Sequence, residues 1–134
     1  MTLDEFLTKW AGKKCDFDKV YGAQCVDLFR QLCQDVLAIP HTGGVEGAKD
    51  LFLNYDKMPL EKKYFIRITA NPVCGDVAIW GATSSNKYGH VAIVIGVMAD
   101  GSLLVAEQDG LKQDGVKFRI RGSEYLLGFL RAKK

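Results

Sequence analysis

Long apolar runs are missing from this 134-residue chain. No segment approaches the ~18 consecutive apolar residues of a membrane-spanning helix, and no basic stretch leads into an apolar one at the N-terminus. Membrane insertion and an export leader are therefore not expected, and the chain reads as made soluble in the cytoplasm. Charge of one sign is also scarce. The formal net charge is +2, and the cations are scattered apart from Lys62-Lys63 and Lys133-Lys134. A nucleic-acid partner is not indicated, although a mild basic excess suits approach to an anionic surface. Repeats, low-complexity tracts and linkers are absent, so 48% hydrophobic and 25% charged residues fit one domain, 1–134, with a single core. The four cysteines have no C-x-x-C spacing, which removes a zinc cluster of that kind, and without a leader they are expected reduced. Cys33 reads as core, Cys15 and Cys74 as loop or strand-end thiols, and a Cys15–Cys74 disulfide stays open.

Two histidines narrow the search for a general base. His41 lies in the turn-like Pro40-His41-Thr42-Gly43-Gly44, where a solvated imidazole needs no role. His90 opens the apolar run Val91 to Val97, which reads as a buried strand. A histidine at the mouth of such a strand can face a cleft while the strand stays in the core. The companion nucleophile is Cys25. Residues 16–22 are loop-like, and Cys25, Leu28/Phe29, Leu32 and Val36/Leu37 then recur at helical spacing. A thiol in a first helical turn meets unpaired N–H groups and the positive end of the helix dipole, both of which favour thiolate. The competing reading makes Cys25 the first residue of a buried stripe that Cys33 continues. After the Asp100-Gly101 turn, a partner strand leads into Glu107-Gln108-Asp109. Antiparallel pairing returns Glu107 towards His90. Side chains alternate, so Glu107 and Asp109 share a face and either can orient the imidazole.

The coarse order is helices first and strands later. Thr2-Leu3-Asp4-Glu5 is a capping box for a short helix with Phe6 and Trp10 on its apolar face and Gly12 as its stop. A central helix is expected from Cys25 to about Ile39, ended by Pro40. Residues 42–59 read as a long connection with a short helix near 46–53, and such a segment can wall a groove. Strands are expected at 64–68, 76–80, 90–97, 103–107, 116–120 and 126–131. This is an α+β pattern with an antiparallel sheet packed on the central helix.

Gln24-Cys25-x-Asp27-Leu28-Phe29, Pro72-x-x-Gly75-Asp76-Val77-Ala78-x-Trp80, Gly89-His90-Val91-Ala92 and Glu107-Gln108-Asp109 together resemble a CHAP domain. These are the cysteine- and histidine-dependent amidohydrolases and peptidases of peptidoglycan found in phage lysins. The resemblance runs from about Asp16 to the C-terminus and implies a papain-like, NlpC/P60-like core. It implies Cys25 as nucleophile, His90 as base and Glu107 as the acceptor that orients it. Many members carry asparagine where this chain has Asp109, whose charge would shift both titrations. Gln24 can supply an amide to an oxyanion hole beside the Cys25 N–H. No cofactor is needed for chemistry. The substrate implied is peptidoglycan, cut at the muramoyl–L-alanine amide or within a peptide stem or cross-bridge by a monomer that a partner holin lets through to the wall. Rival readings are an amidase of another substrate, a toxin or deamidase, and a silent wall-binding module, against which the intact Cys25, His90 and Glu107 argue.

The loop before Cys25 offers alternating carboxylates and carbonyls, the oxygen ligands calcium takes. Some lysins of the family bind calcium through such a loop. The resemblance assigns Asp16, Asp18 and Asp27 to the ion, with Val20 and Gly22 offering only backbone oxygens. The alternative makes these aspartates loop and capping residues. Trp80 and Tyr21 are placed to touch substrate, although Trp80 fits a core position as well.

Overall fold

The computed structural model describes residues 1–17, 19, 22–40, 45–109 and 112–133. Asp18, Val20, Tyr21 and His41, all singled out above, lie outside the described residues.

Helix α1 (Leu3–Trp10) begins with the expected capping box: Glu5 N–H donates to Thr2 Oγ1 at 3.1 Å and Thr2 N–H to Glu5 Oε1 at 2.8 Å. It drives Phe6 into the core. Helix α2 (Cys25–Leu32) buries Leu28, Phe29 and Leu32 and continues as one wide π-helical turn, Cys33–Leu37. Ala38 then adopts the left-handed conformation, φ 53°, with its N–H on Cys33 O. The central helix therefore stops just short of the expected Ile39. In the stretch read as a long connection, a short α3 (Asp50–Leu53) and a 3₁₀ turn precede α4 (Pro59–Tyr64). Helix α4 was not anticipated: Pro59, the last residue of the expected connection, stands in its first turn, where the missing N–H costs nothing.

Six strands form one antiparallel sheet in the order β1 (Phe65–Ile68), β6 (Leu126–Ala132), β2 (Val77–Trp80), β3 (His90–Val97), β4 (Leu103–Glu107), β5 (Lys117–Arg121). The α+β expectation holds, and each strand starts or ends within a residue or so of its expected bounds. One sheet face packs Val77, Ile79, Val91, Ile93, Ala106 and Leu130 against the helices. The other face carries a smaller cluster of Ala78, Trp80, Ala92, Val94, Leu103, Val105 and Phe129. Strand alternation puts His90 with Ala92 and Val94, and Glu107 with Leu103 and Val105, on this second face. The Asp100-Gly101 turn closes the β3–β4 hairpin, with Asp100 Oδ1 accepting from Ser102 N–H at 2.9 Å. A bulge between Val94 and Gly96 shifts its register. Among the described residues, no helix is long and apolar enough to cross a membrane.

Candidate active site

Cys25 is the first residue of α2, and two contacts fix the backbone that presents it. Gln24, extended at φ −91°, is the N-cap; its N–H donates to Asp27 Oδ2 at 3.0 Å, and its carbonyl accepts from Gln108 Nε2 at 2.8 Å. The Cys25 thiol thus sits at a helix N-terminus, where first-turn amides lack the i−4 carbonyl partners of the helix interior. Two other thiols are of a different kind. Burial pushes Cys15 and Cys33 up to about 12, which keeps them neutral and inert. Cys74 is exposed and all four cysteines are free, so the Cys15–Cys74 disulfide left open above is not formed. Cys15 lies in a loop, as expected, and is fully buried there.

His90 is the first residue of β3, directly across from Trp80 on β2. Gly89, at φ 75°, delivers the chain to it in a space where a Cβ would strike Trp80 O and come within 2.8 Å of Lys49 Cβ. The imidazole Nε2 lies 3.1 Å from Glu107 Oε1, and the Cys25 thiol is near enough to the same ring to favour its cation. With Nε2 on the carboxylate, Nδ1 is the nitrogen left for the thiol. His90 and Glu107 are 14% and 2% exposed.

Electrostatics follow from that enclosure. Burial pulls the His90 titration down, but the hydrogen bonds and charges of Cys25 and Glu107 outweigh it and raise it to about 9. Burial pushes Glu107 up, and the Arg121 guanidinium and His90 overcome it, holding the carboxyl down at about 2. Opposite charges at hydrogen-bond range in a partly screened site are worth about 4 kcal/mol, enough to exceed the desolvation cost. The imidazole is therefore cationic and the glutamate anionic across the neutral range.

Three arginine and glutamine side chains complete the site, and none was singled out from sequence. Arg121 donates through Nε to Glu107 Oε1 and through Nη2 to Oε2, the latter at 2.6 Å. Gln108, 1% exposed, accepts from Cys15 N–H at 3.0 Å and donates to Cys15 O and Gln24 O. It ties the end of β4 to the start of α2, while its neighbour Glu107 points to the opposite face. Gln113 Oε1 accepts from Ala23 N–H at 2.9 Å. The available signal was the Glu-Gln-Asp triplet itself, whose alternation sends successive polar side chains to opposite faces.

Several expected roles change. The carboxylate that meets His90 is Glu107; Asp109 Oδ1 accepts from Lys112 N–H at 3.4 Å, and its carbonyl accepts from Gln113 N–H at 3.0 Å. Trp80 is only 6% exposed, with its ring 5.8 Å from that of His90 and its Nε1 on Gly122 O. It backs the imidazole instead of lining an open cleft. Asp27 accepts from Gln24 N–H through Oδ2 at 3.0 Å and pairs with Arg30 through Oδ1 at 3.4 Å, so its carboxylate supports the helix start. Gly22, at φ 74°, packs where a Cβ would lie 2.6 Å from Gln113 Oε1. Asp16 fits calcium better: its Oδ1 is buried with no hydrogen-bond partner among the described residues. Among those residues no group of three His, Cys, Asp or Glu forms a metal cluster.

The CHAP domain family model matches residues 14–109, a segment that holds Cys25, His90 and Glu107. No curated protein matches the chain. Among solved structures, the wild-type endolysin LysIME-EF1 superimposes with a TM-score of 0.68 at 22% identity, over 98% of this chain and 64% of its own. Ly7917 gives 0.67 at 20% identity, over 98% and 62%. An N-acetylmuramoyl-L-alanine amidase from Staphylococcus aureus gives 0.59 at 17% identity, over 93% and 35%. At these identities the likeness is one of fold, and the chain spans less than two thirds of the length of these structures.

Proposed function

The chain belongs to the CHAP domain family, and on that premise we propose that it is a peptidoglycan hydrolase that cuts an amide bond through Cys25, His90 and Glu107. The observation that carries the reading is His90 hydrogen-bonded to a buried Glu107 and electrostatically coupled to a cysteine at a helix N-terminus. Cys25 thiolate attacks the amide carbonyl, and the tetrahedral oxyanion is met by the Cys25 N–H, with the Gln24 side-chain amide as second donor. His90, already protonated, gives its proton to the departing amine as the C–N bond breaks and a thioester forms. It then takes a proton from the water that releases the acyl group. Glu107 keeps the ring oriented and its cation stabilised through both steps.

The bond is the muramoyl–L-alanine amide or an amide of the peptide stem or cross-bridge. Mass spectrometry of fragments released from purified peptidoglycan by wild type and His90→Ala distinguishes these by the new ends. Intact peptidoglycan after wild-type treatment overturns the reading. Access to the wall is proposed to follow a membrane lesion made by a holin partner, with the monomer acting alone on substrate.

Calcium enters only as a structural ion anchored by Asp16 in the loop ahead of Cys25, with Asp27 retained at the helix cap. Calcium is expected to raise the melting temperature relative to chelator and to leave the rate per folded molecule unchanged. Equal melting temperatures contradict it.

A further inference from the structure

We propose that Arg121 is a positioning residue for the reaction: its guanidinium fork fixes Glu107 in the orientation that presents Oε1 to His90 Nε2. The inference rests on the Cys25–His90–Glu107 reading and goes beyond the matched family segment, which ends at residue 109. Arg121 lies on β5, at the edge of the sheet.

Glutamate has a flexible side chain, and one hydrogen bond to an imidazole does not fix the plane of its carboxylate. Two parallel N–H donors from one rigid guanidinium do, which is the geometric content of a bidentate arginine–carboxylate pair. Here Nε meets Oε1 and Nη2 meets Oε2, so the oxygen that faces His90 is also the one Arg121 Nε holds. The pairing is not the one strand register favours. Lys117 is directly opposite Glu107, and Arg121 is opposite Leu103. Lys117 turns instead to Asp114, Nζ to Oδ2 at 2.8 Å, and Arg121 runs diagonally across the sheet to the glutamate.

Trp80 closes the arrangement. The Arg121 guanidinium lies 5.9 Å from the centre of the indole, and the indole ring lies 5.8 Å from that of His90. Trp80 Nε1 donates to Gly122 O, the carbonyl just after Arg121, at 3.2 Å. Arg121, Glu107, His90 and Trp80 therefore form a ring of contacts in which each side chain meets two others. Displacing the guanidinium loosens both supports of the imidazole. Arg121 also covers the carboxylate on its solvent side, being 38% exposed where Glu107 is 2%.

Arg119 provides the internal contrast. It stands two residues away on the same face, but its Nε is 3.6 Å from Glu107 Oε2 and its side chain is 40% exposed. It supplies charge without a fork. If charge alone mattered, the two arginines would be interchangeable; if orientation matters, only Arg121 is required.

The test measures kcat and KM on muramidase-solubilised peptidoglycan for wild type, Arg121→Gln, Arg121→Lys, Arg119→Gln and Glu107→Gln, with melting temperatures alongside. A misplacement near an ångström costs on the order of 100-fold, so kcat is expected to fall about 10- to 100-fold in Arg121→Gln with KM within about threefold. Arg121→Lys keeps the charge but not the fork and is expected to lose at least about tenfold. Arg119→Gln is expected to lose less than either. In Arg121→Ala, added guanidinium is expected to restore part of kcat, a recovery that a merely structural defect does not show. Wild-type kcat in both Arg121→Lys and Arg121→Gln, beside a defective Glu107→Gln, overturns the positioning role and leaves the triad standing. Wild-type kcat in Glu107→Gln overturns both. Should Arg121→Gln fail to fold, Arg121→Lys and the guanidinium recovery decide.

Discussion

Replacing Glu107 by glutamine removes the anion that keeps His90 protonated while preserving the shape of the side chain. The imidazole is raised from an ordinary 6.5 to about 9 against its own burial, with Cys25 and Glu107 supplying the opposing effect. That rise corresponds to about 3 kcal/mol of preference for the cation. An opposite charge at contact distance moves a titration midpoint by about 1–3 pH units, so the midpoint in Glu107→Gln is expected to fall to about 6–8. Burial and the now unbalanced Arg121 charge both act in that direction. The sign for stability follows. A folded-state midpoint above the unfolded one contributes stability that is complete below about pH 6.5 and is lost as pH rises through about 9. Glu107, lowered from 4.5 to about 2, contributes above 4.5 and loses that contribution as pH falls towards 2. Both midpoints report the same contact and are not added. Imidazole NMR resolves the two histidines, and urea unfolding at pH 6 and pH 10 gives the stability difference between wild type and variant. The difference is expected to be larger at pH 6. A His90 midpoint that stays near 9 in Glu107→Gln refutes the electrostatic account.

Gly89→Ala places a methyl group against Trp80 O and Lys49 at a φ of 75°, so unfolding assays are expected to show a loss of about 2 kcal/mol or more, with kcat reduced because His90 shifts. Gln108→Leu leaves Cys15 N–H, Cys15 O and Gln24 O without their buried partner. At about 1–3 kcal/mol for each unsatisfied group, chemical denaturation is expected to show a loss of at least about 3 kcal/mol, and a loss below 1 kcal/mol would mean that water replaces the amide.

What was legible in the sequence was local. Thr2 and Glu5 mark the start of α1 because a capping box is complete within four residues. The β3–β4 hairpin was readable because Asp100-Gly101 supplies its turn, and the hairpin alone brings Glu107 back to His90. Cys25 was readable as a helix start because a loop gives way there to helical spacing. What escaped notice depends on the sheet as a whole. Arg121 reaches Glu107 only because β5 follows β4 at the sheet edge and Lys117 is drawn off by Asp114, neither of which spacing encodes. Gln108 was hidden between two acids of more obvious chemistry. Asp27 matches a calcium pattern by offset, and its contacts with the Gln24 N–H and Arg30, which depend on the helix start, were not legible from that offset. Trp80 at a strand end fitted both a substrate contact and a core position, and cross-strand pairing with His90 selects the buried one. Helix α4 escaped notice because a proline in the first turn of a helix looks the same, from its neighbours, as one that closes a loop.

The central claim is that Cys25 performs the attack. Purified peptidoglycan is incubated with wild type and with Cys25→Ala of matched circular dichroism, and newly exposed chain ends are counted. The account predicts steady release by wild type and background release by Cys25→Ala. Release by Cys25→Ala at the wild-type rate contradicts it.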